Sequence, residues 1–409
     1  MALWLGALGE TSTAAETWKL PSVQGTMEGD FSAGLLPGAP GFHWSLRSTK
    51  PRMDEQVFVL SIEGAALRAR ADAVRDLKGD GSWRLIEAEA DLAAWWPGLA
   101  MSYVPAHAGL EVTGAARLAG EGVLRGGQPS GQIELQVDVA MARDPKQGWS
   151  VAGVALRGRL GELPALTTTE PFLLQFREAA LAGVALRDGV VKLALPGDGT
   201  LRVTSATCAM LDGRVALTPF TVDLAKNKVR TTVDFTDVEL SGLAKFLPPA
   251  LAEARGRVSG QLEVVWDLQR GLTVASGGLR PGASGFAAIT LAPAPGFLTD
   301  RLPANMRERI QLLPEWMGPV RKLFAPANPA YPILRAIEMG ESSLDLTALE
   351  VGVSLDGDAR GRSAHIVATT RPTTPGTAVG SVRFEFNVTG PLADFARLLA
   401  EGRLNLHVR

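Results

Sequence analysis

Apolar and polar residues alternate singly over long stretches of this chain. A period of two fixes the element as a strand with one oily and one wet face. Over residues 131–141, Ile133, Leu135, Val137, Val139 and Met141 point one way, while Gln132, Glu134, Gln136 and Asp138 point the other. Residues 258–268 repeat the pattern, with Val258, Leu262, Val264, Trp266 and Leu268 against Ser259, Gln261, Glu263 and Asp267. Over 381–388, Val382, Phe384, Phe386 and Val388 oppose Arg383, Glu385 and Asn387. Shorter runs at 56–62, 220–224, 229–235, 344–346 and 404–408 read the same way. They put Val222 with Leu224, and Val233 with Phe235, on apolar faces.

Turn signals separate these runs: Gly79-Asp80-Gly81, Gly126-Gly127, Gly197-Asp198-Gly199, Asp212-Gly213, Gly277-Gly278 and Asp356-Gly357-Asp358. Asp-Gly and Gly-Gly pairs between alternating runs are hairpin signals. Their even spread predicts a meander of antiparallel strands rather than βαβ units. Helical patterning is rarer, with one stretch at 297–324, broken by Pro303, Pro314 and Pro319, and a short candidate at 331–339. A loose repeat also runs through the chain, at 91–99, 239–251 and 391–402. Each copy is a short amphipathic helix opening at an acidic or Pro-Leu position and followed by a strand, which suggests units stacked on their neighbours.

The residues offer no chemistry of a recognisable kind. The histidines, His43, His107, His365 and His407, are far apart and none sits at a metal-ligand spacing. There is no nucleophile elbow, since Gly282-Ala-Ser-Gly lacks the spacing, and no phosphate-cradling P-loop. Glu87, Glu89 and Asp91, like Asp234, Asp237 and Glu239, fall on polar faces and read as solvated. Asp356-Gly-Asp358 reads as a turn before it reads as a calcium loop, and Cys208, the sole cysteine, as a small buried hydrophobe. A formal net charge of −2 provides no basic field for nucleic acid. The chain therefore reads as a non-enzyme, without cofactor, metal or nucleic-acid partner. No Lys or Arg precedes Lys19, so a signal-peptide n-region is missing, and Pro97 and Pro105 interrupt the most apolar stretch. These features read as a soluble chain that forms part of a longer protein.

What remains is the apolar face, which must be covered. A second sheet, a closed barrel, or a curled sheet whose concave face holds acyl chains would each do so. Each buried CH₂ of an acyl chain contributes roughly 0.8 kcal/mol, so the third solution needs no polar motif. The expected fold is thus mainly β: a long curled antiparallel sheet forming an open, taco-like groove, with a few short amphipathic helices. Ile133, Leu135, Val137, Val139, Val222, Leu224, Val233, Phe235, Leu262, Val264, Trp266, Phe384 and Phe386 are its candidate lining.

From about residue 182 onward, ordered segments carry a family resemblance. They are Gly213-Arg-Val-Ala-Leu-Thr-Pro-Phe-Thr-Val-Asp-Leu, Thr231-Thr-Val-Asp-Phe-Thr-Asp-Val-Glu-Leu-Ser-Gly-Leu, Gly256-Arg-Val-Ser-Gly-Gln-Leu and Gly277-Gly-Leu-Arg-Pro-Gly282. Leu334-Arg-Ala-Ile-Glu-Met-Gly-Glu-Ser-Ser-Leu-Asp-Leu and Val382-Arg-Phe-Glu-Phe-Asn-Val-Thr-Gly-Pro-Leu follow. Together they resemble the C-terminal domain of YdbH-like proteins, and the first 180 residues share the broader AsmA/TamB-like strand style. The resemblance implies residues 1–180 as an N-terminal groove segment. It implies 181–409 as a C-terminal β domain with a helical insertion at about 297–340. It also implies a periplasmic, envelope-associated protein of a Gram-negative cell that passes phospholipids between inner and outer membranes. An outer-membrane lipoprotein or an inner-membrane anchor would be its protein partner. The alternative is an envelope assembly factor that pairs edge strands with β-rich outer-membrane clients.

Overall fold

The computed structural model describes residues 25–31, 40–49, 55–76, 78–103, 109–145, 148–161, 167–181, 184–223, 228–244, 251–267, 271–300, 302, 304, 327–353, 362–373 and 378–389. Among these residues the chain is mainly β: one large antiparallel sheet of 21 strands, not a closed barrel, with three helices. It divides into two compact units. Unit 1 holds residues 1–210 and 216–229, and unit 2 holds 211–215 and 230–409.

Unit 1 is a meander. It starts with β1 (Gly25–Phe31), β2 (Phe42–Ser48), β3 (Gln56–Glu63) and β4 (Leu67–Arg75). It continues with β5 (Gly81–Asp91), β6 (Glu111–Arg125), β7 (Gln128–Asp144) and β8 (Trp149–Gly161). Each pairs antiparallel with the next. The two-residue β9 (Thr167–Thr168) pairs with the end of β8. The ladder resumes with β10 (Phe172–Leu181) on β8, then β11 (Val184–Ala194) and β12 (Thr200–Met210). β14 (Phe220–Asp223) pairs with β12, and β13 (Gly213–Leu217) pairs with β15 (Lys228–Glu239).

The hairpin turns follow the sequence signals. Gly126 and Gly127 take φ of 54° and 83°, the double left-handed geometry that a tight β6–β7 hairpin needs and that glycine adopts without strain. At the β4–β5 turn the Asp76 carboxylate accepts the N–H groups of Lys78 and Asp80. Gly277-Gly278 is a correction, because both lie inside a strand. A Cβ on Gly277 would come within 2.3 Å of the Gln261 carbonyl, so the glycine serves close strand approach instead of reversal.

Unit 2 is built differently. After β15 (Lys228–Glu239), β16 (Leu251–Asp267) pairs with β17 (Gly271–Pro281) along one half and with β18 (Ala287–Leu291) along the other. Both of these pair with β19 (Leu344–Val353), and β20 (Arg362–Pro372) and β21 (Val382–Thr389) follow in order. The register places Leu279, Leu349, Ala368 and Phe384 in one row across four strands, all at 5% exposure or less.

Helices close over that row. α2 (Leu240–Ala244) contributes Leu240, and α3 (Tyr331–Glu338), with Pro332 at its start, contributes Ile337. The cavity left among Leu240, Ile289, Leu346 and Ile366 is only about 10 Å³, barely the volume of one water. Glu338, 3% exposed, ties the 294–299 turn onto this core. Its carboxylate accepts the Thr299 hydroxyl at 2.6 Å and the N–H groups of Leu298 and Thr299 at 3.0 and 3.1 Å. Burial raises its pKa, but the Thr299 hydroxyl and the backbone donors outweigh this and hold it below the usual glutamate value.

The expected helix at 331–339 is α3. Residues 297–300 form turns, while 305–324 of the other expected helical stretch lie outside the described residues, as do Asp356-Gly-Asp358, the third repeat copy and the 404–408 strand. The remaining helix, α1 (Leu92–Tyr103), corrects the amphipathic expectation. It carries no charged residue, and Ala93, Pro97 and Met101 are all exposed on its outer side.

Candidate functional site

Partners in an antiparallel ladder project to the same side of a sheet, so the register identifies the two faces of unit 1. One apolar row runs Leu46, Leu60, Ala71, Leu85, Gly120, Ile133 and Leu160 from β2 to β8. A second runs Ala90, Ala116, Val137, Leu156, Leu174, Val191 and Ala206 from β5 to β12. β14 extends the face with Phe220 and Val222. Flat aromatic rings line part of the floor. A Cβ on Gly158 would fall inside the Phe172 ring, so Phe172 lies across its neighbour strand. The face spans β2–β8, β10–β12 and β14, on the order of 50 Å at normal strand spacing.

The opposite face is ionic. Arg68, Glu89, Arg117, Asp138 and Arg157, on β4 to β8 in turn, form a ladder with N–O distances of 2.9, 3.0, 3.9 and 2.5 Å. Arg84 pairs with Glu121, Arg143 with Glu111 and Arg159 with Glu134 on the same side. The Arg117 hydrogen bond holds Glu89 below the usual carboxylate range, and the Gln136 amide followed by Arg157 does the same for Asp138. Such exposed pairs contribute little stability individually, about 0–1 kcal/mol. They mark this side as the solvent face.

The apolar face is not sealed. The hydrophobic core cluster of buried residues lies wholly in unit 2. In unit 1, Leu46, Leu60, Leu85, Leu118, Ile133, Leu135, Val137, Leu156, Leu174 and Val191 are half-buried. Fully buried apolar side chains there are scattered, as with Phe58, Leu124, Phe172 and Val203. A contiguous apolar face left partly open to this extent marks an interaction surface.

α1 packs at one end of the strands, with Trp95 donating to the Ala66 carbonyl at 3.0 Å and its ring 6.4 Å from Phe42. Cys208 belongs to the same face, between Ala206 and Met210, and burial pushes its thiol pKa up. A hollow of about 390 Å³ at the β7–β8 turn opens widely to solvent, and Arg143 within it is already paired with Glu111.

The lining residues expected from sequence are divided between the units. Ile133, Leu135, Val137 and Val139 are half-buried on the apolar face of unit 1, as is Val222. Leu224 lies outside the described residues. In unit 2, Val233 and Leu262 are half-buried and Phe235 packs against the core cluster. Val264 is 6% and Phe384 3% exposed, the latter stacked on Phe297 with centroids 6.5 Å apart. Trp266 and Phe386 occupy strand positions, in β16 and β21.

Met141 departs from the expected alternation. An extra residue at Ala140 shifts the β6–β7 register, so Met141 turns outward to 42% exposure and Ala142 inward to 8%. Sequence reading missed Leu118, Leu156, Phe172 and Leu174, which sit in strands where glycine and arginine blur the alternation. His43 bonds Asp30 at 2.8 Å, His365 pairs with Glu385 at 3.5 Å, and His107 and His407 lie outside the described residues. Among the described residues no group of His, Cys, Asp or Glu is placed to hold a metal, and no helix is long and apolar enough to cross a membrane.

The sheet of unit 1, with one ionic face and one partly open apolar face, defines a class of β proteins built around an oily surface. The chain belongs to the YdbH-like family: the model of that family, described as intermembrane phospholipid transport protein YdbH, matches residues 12–300. The match thus reaches through unit 1, well ahead of the segments that carried the resemblance in the sequence. Comparison with curated proteins and with solved structures returned no match.

Proposed function

We propose that this chain moves phospholipids without catalysis, by holding their acyl chains in a groove formed by the apolar face of unit 1. The observation that carries this reading is the half-buried apolar face of β2–β8, β10–β12 and β14, backed by an ion-paired outer face. An acyl chain laid across the strands meets one apolar row after another and gains roughly 0.8 kcal/mol per CH₂ removed from water. Half-exposed leucines and valines gain by the same contact. The family's description as intermembrane phospholipid transport supports this reading and, with it, a periplasmic, envelope-associated location.

The strand period provides the test. Photo-crosslinking side chains introduced at Ile133, Leu135 and Val137 are expected to capture phospholipid in cells, and those at Gln132, Glu134 and Gln136 are not. Equal capture on both parities, or none on either, would reject the groove. A second reading, an assembly factor for β-rich clients, draws on β1. Its residues are largely exposed, and β2 is its only partner among the described residues. Capture of an outer-membrane protein along β1, with no lipid captured at 133, 135 or 137, would favour that reading.

A further inference from the structure

The apolar face of unit 1 carries one polar cluster at the rim formed by the end of β4. The register β2–β3–β4 puts Ser48, Gln56 and Arg75 on the same side as Phe58, Leu60 and Ala73. The Gln56 amide donates to the Ser48 hydroxyl at 2.7 Å, and the Arg75 guanidinium donates to the Gln56 carbonyl oxygen at 3.4 Å. The guanidinium carbon lies 5.0 Å from the centroid of the Phe58 ring. That contact keeps the charge on the apolar side rather than turning it to the ionic face.

Among the described strands of unit 1, Arg75 is the only Lys or Arg whose position falls on the apolar face. Arg68, Arg84, Arg117, Arg143, Arg157 and Arg159 all pair on the other side.

We propose that Arg75, supported by Gln56 and Ser48, is a headgroup site that takes the phosphodiester of a phospholipid whose acyl chains lie on the adjoining apolar rows. This rests on the groove reading and adds the polar end of the ligand to it. A guanidinium offers paired N–H donors matched to phosphate oxygens, and at the edge of an apolar surface such bonds are less screened than in water. The remaining floor is apolar, so a headgroup has no comparable partner further in.

The test compares two acyl-labelled fluorescent ligands with identical chains, a phosphatidylglycerol and a diacylglycerol, titrated against the full chain. The wild type is expected to bind the phospholipid about tenfold tighter, the worth of one charge-assisted contact. Arg75→Gln should bring the two affinities together by weakening only the phospholipid. Arg75→Lys should keep part of the preference, and Arg84→Gln, on the ionic face, should keep all of it. Millimolar inorganic phosphate should leave the preference in place.

A wild-type preference that survives Arg75→Gln, or falls equally with Arg84→Gln, would overturn the assignment. So would a preference erased by inorganic phosphate, which would make this a site for the free anion. Failure of both ligands to bind the wild type would defeat the groove itself, and the headgroup site with it.

Discussion

Placing a charge in the middle of the apolar face of unit 1 should separate binding from folding. Leu135 lies between Leu118 on β6 and Gly158 on β8 and is half-buried. Leu135→Asp gives up roughly half the transfer energy of a leucine side chain, about 1 kcal/mol. The new carboxylate is hydrated from the open side, so the large penalty of a sealed charge does not arise. The protein should therefore stay folded, with a melting temperature lowered by a few degrees.

An acyl chain crossing that row faces a different balance. To avoid stripping water from the carboxylate it must lift away and lose contact for about four CH₂ groups. At roughly 0.8 kcal/mol each this is about 3 kcal/mol, on the order of a hundredfold in affinity. The assay is the molar ratio of phospholipid to protein after purification, by extraction and mass spectrometry, with circular dichroism to confirm folding. Gln136→Asp, one residue along on the ionic face, serves as the control and should retain its lipid. A folded Leu135→Asp protein carrying the wild-type lipid load would refute the reasoning.

Three further outcomes follow from the contrast between the units. Leu344→Ala, at a fully buried site in unit 2, should cost about 3–4 kcal/mol in denaturant unfolding of that unit, several times the cost of Leu135→Ala. Glu338 has a pKa below the ordinary glutamate value of 4.5, so its contribution is present above about pH 4.5 and is lost as the pH falls through the lowered folded value. Acid titration of unfolding should show that loss, and Glu338→Gln should flatten it while costing about 2 kcal/mol at neutral pH. Cys208, whose thiol pKa is raised by burial, should alkylate more slowly than a free thiol at neutral pH. It should alkylate faster after detergent strips the lipid, which timed mass measurement would show.

Strand existence was legible almost everywhere that alternation was clean. The run at 131–141 is the centre of β7, 56–62 is nearly all of β3, and 381–388 is β21 within a residue at either end. Local irregularity was not legible. The extra residue at Ala140 that reverses Met141, and the one at Ile86 that leaves it 42% exposed, carry no signal in composition. Gly-Gly at 277–278 gives the same signal whether it turns the chain or admits a neighbouring strand.

Least legible was the difference between an open face and a sealed one. β7 and β16 alternate alike, yet β7 lies on the half-exposed face while Val258 and Val264 of β16 are buried. What decides it is whether α2, α3 and the Glu338-anchored turn lie over the strands. That is a tertiary outcome which no single strand encodes. The cluster at Ser48, Gln56 and Arg75 escaped notice for a related reason. Its members come from three runs and meet only through the register.

The charge ladder on the outer face has a bearing on the inner one. Side chains alternate between the bulges, so sliding any one strand by a single position would bring salt-forming groups onto the apolar side at that point. The same slip would set Arg117 opposite the wrong neighbours and forfeit its bonds to Glu89 and Asp138 together. Interlocked pairs across five strands thus act as an alignment key: each is worth little to folding, but jointly they penalise a misthreading that would turn the apolar rows outward.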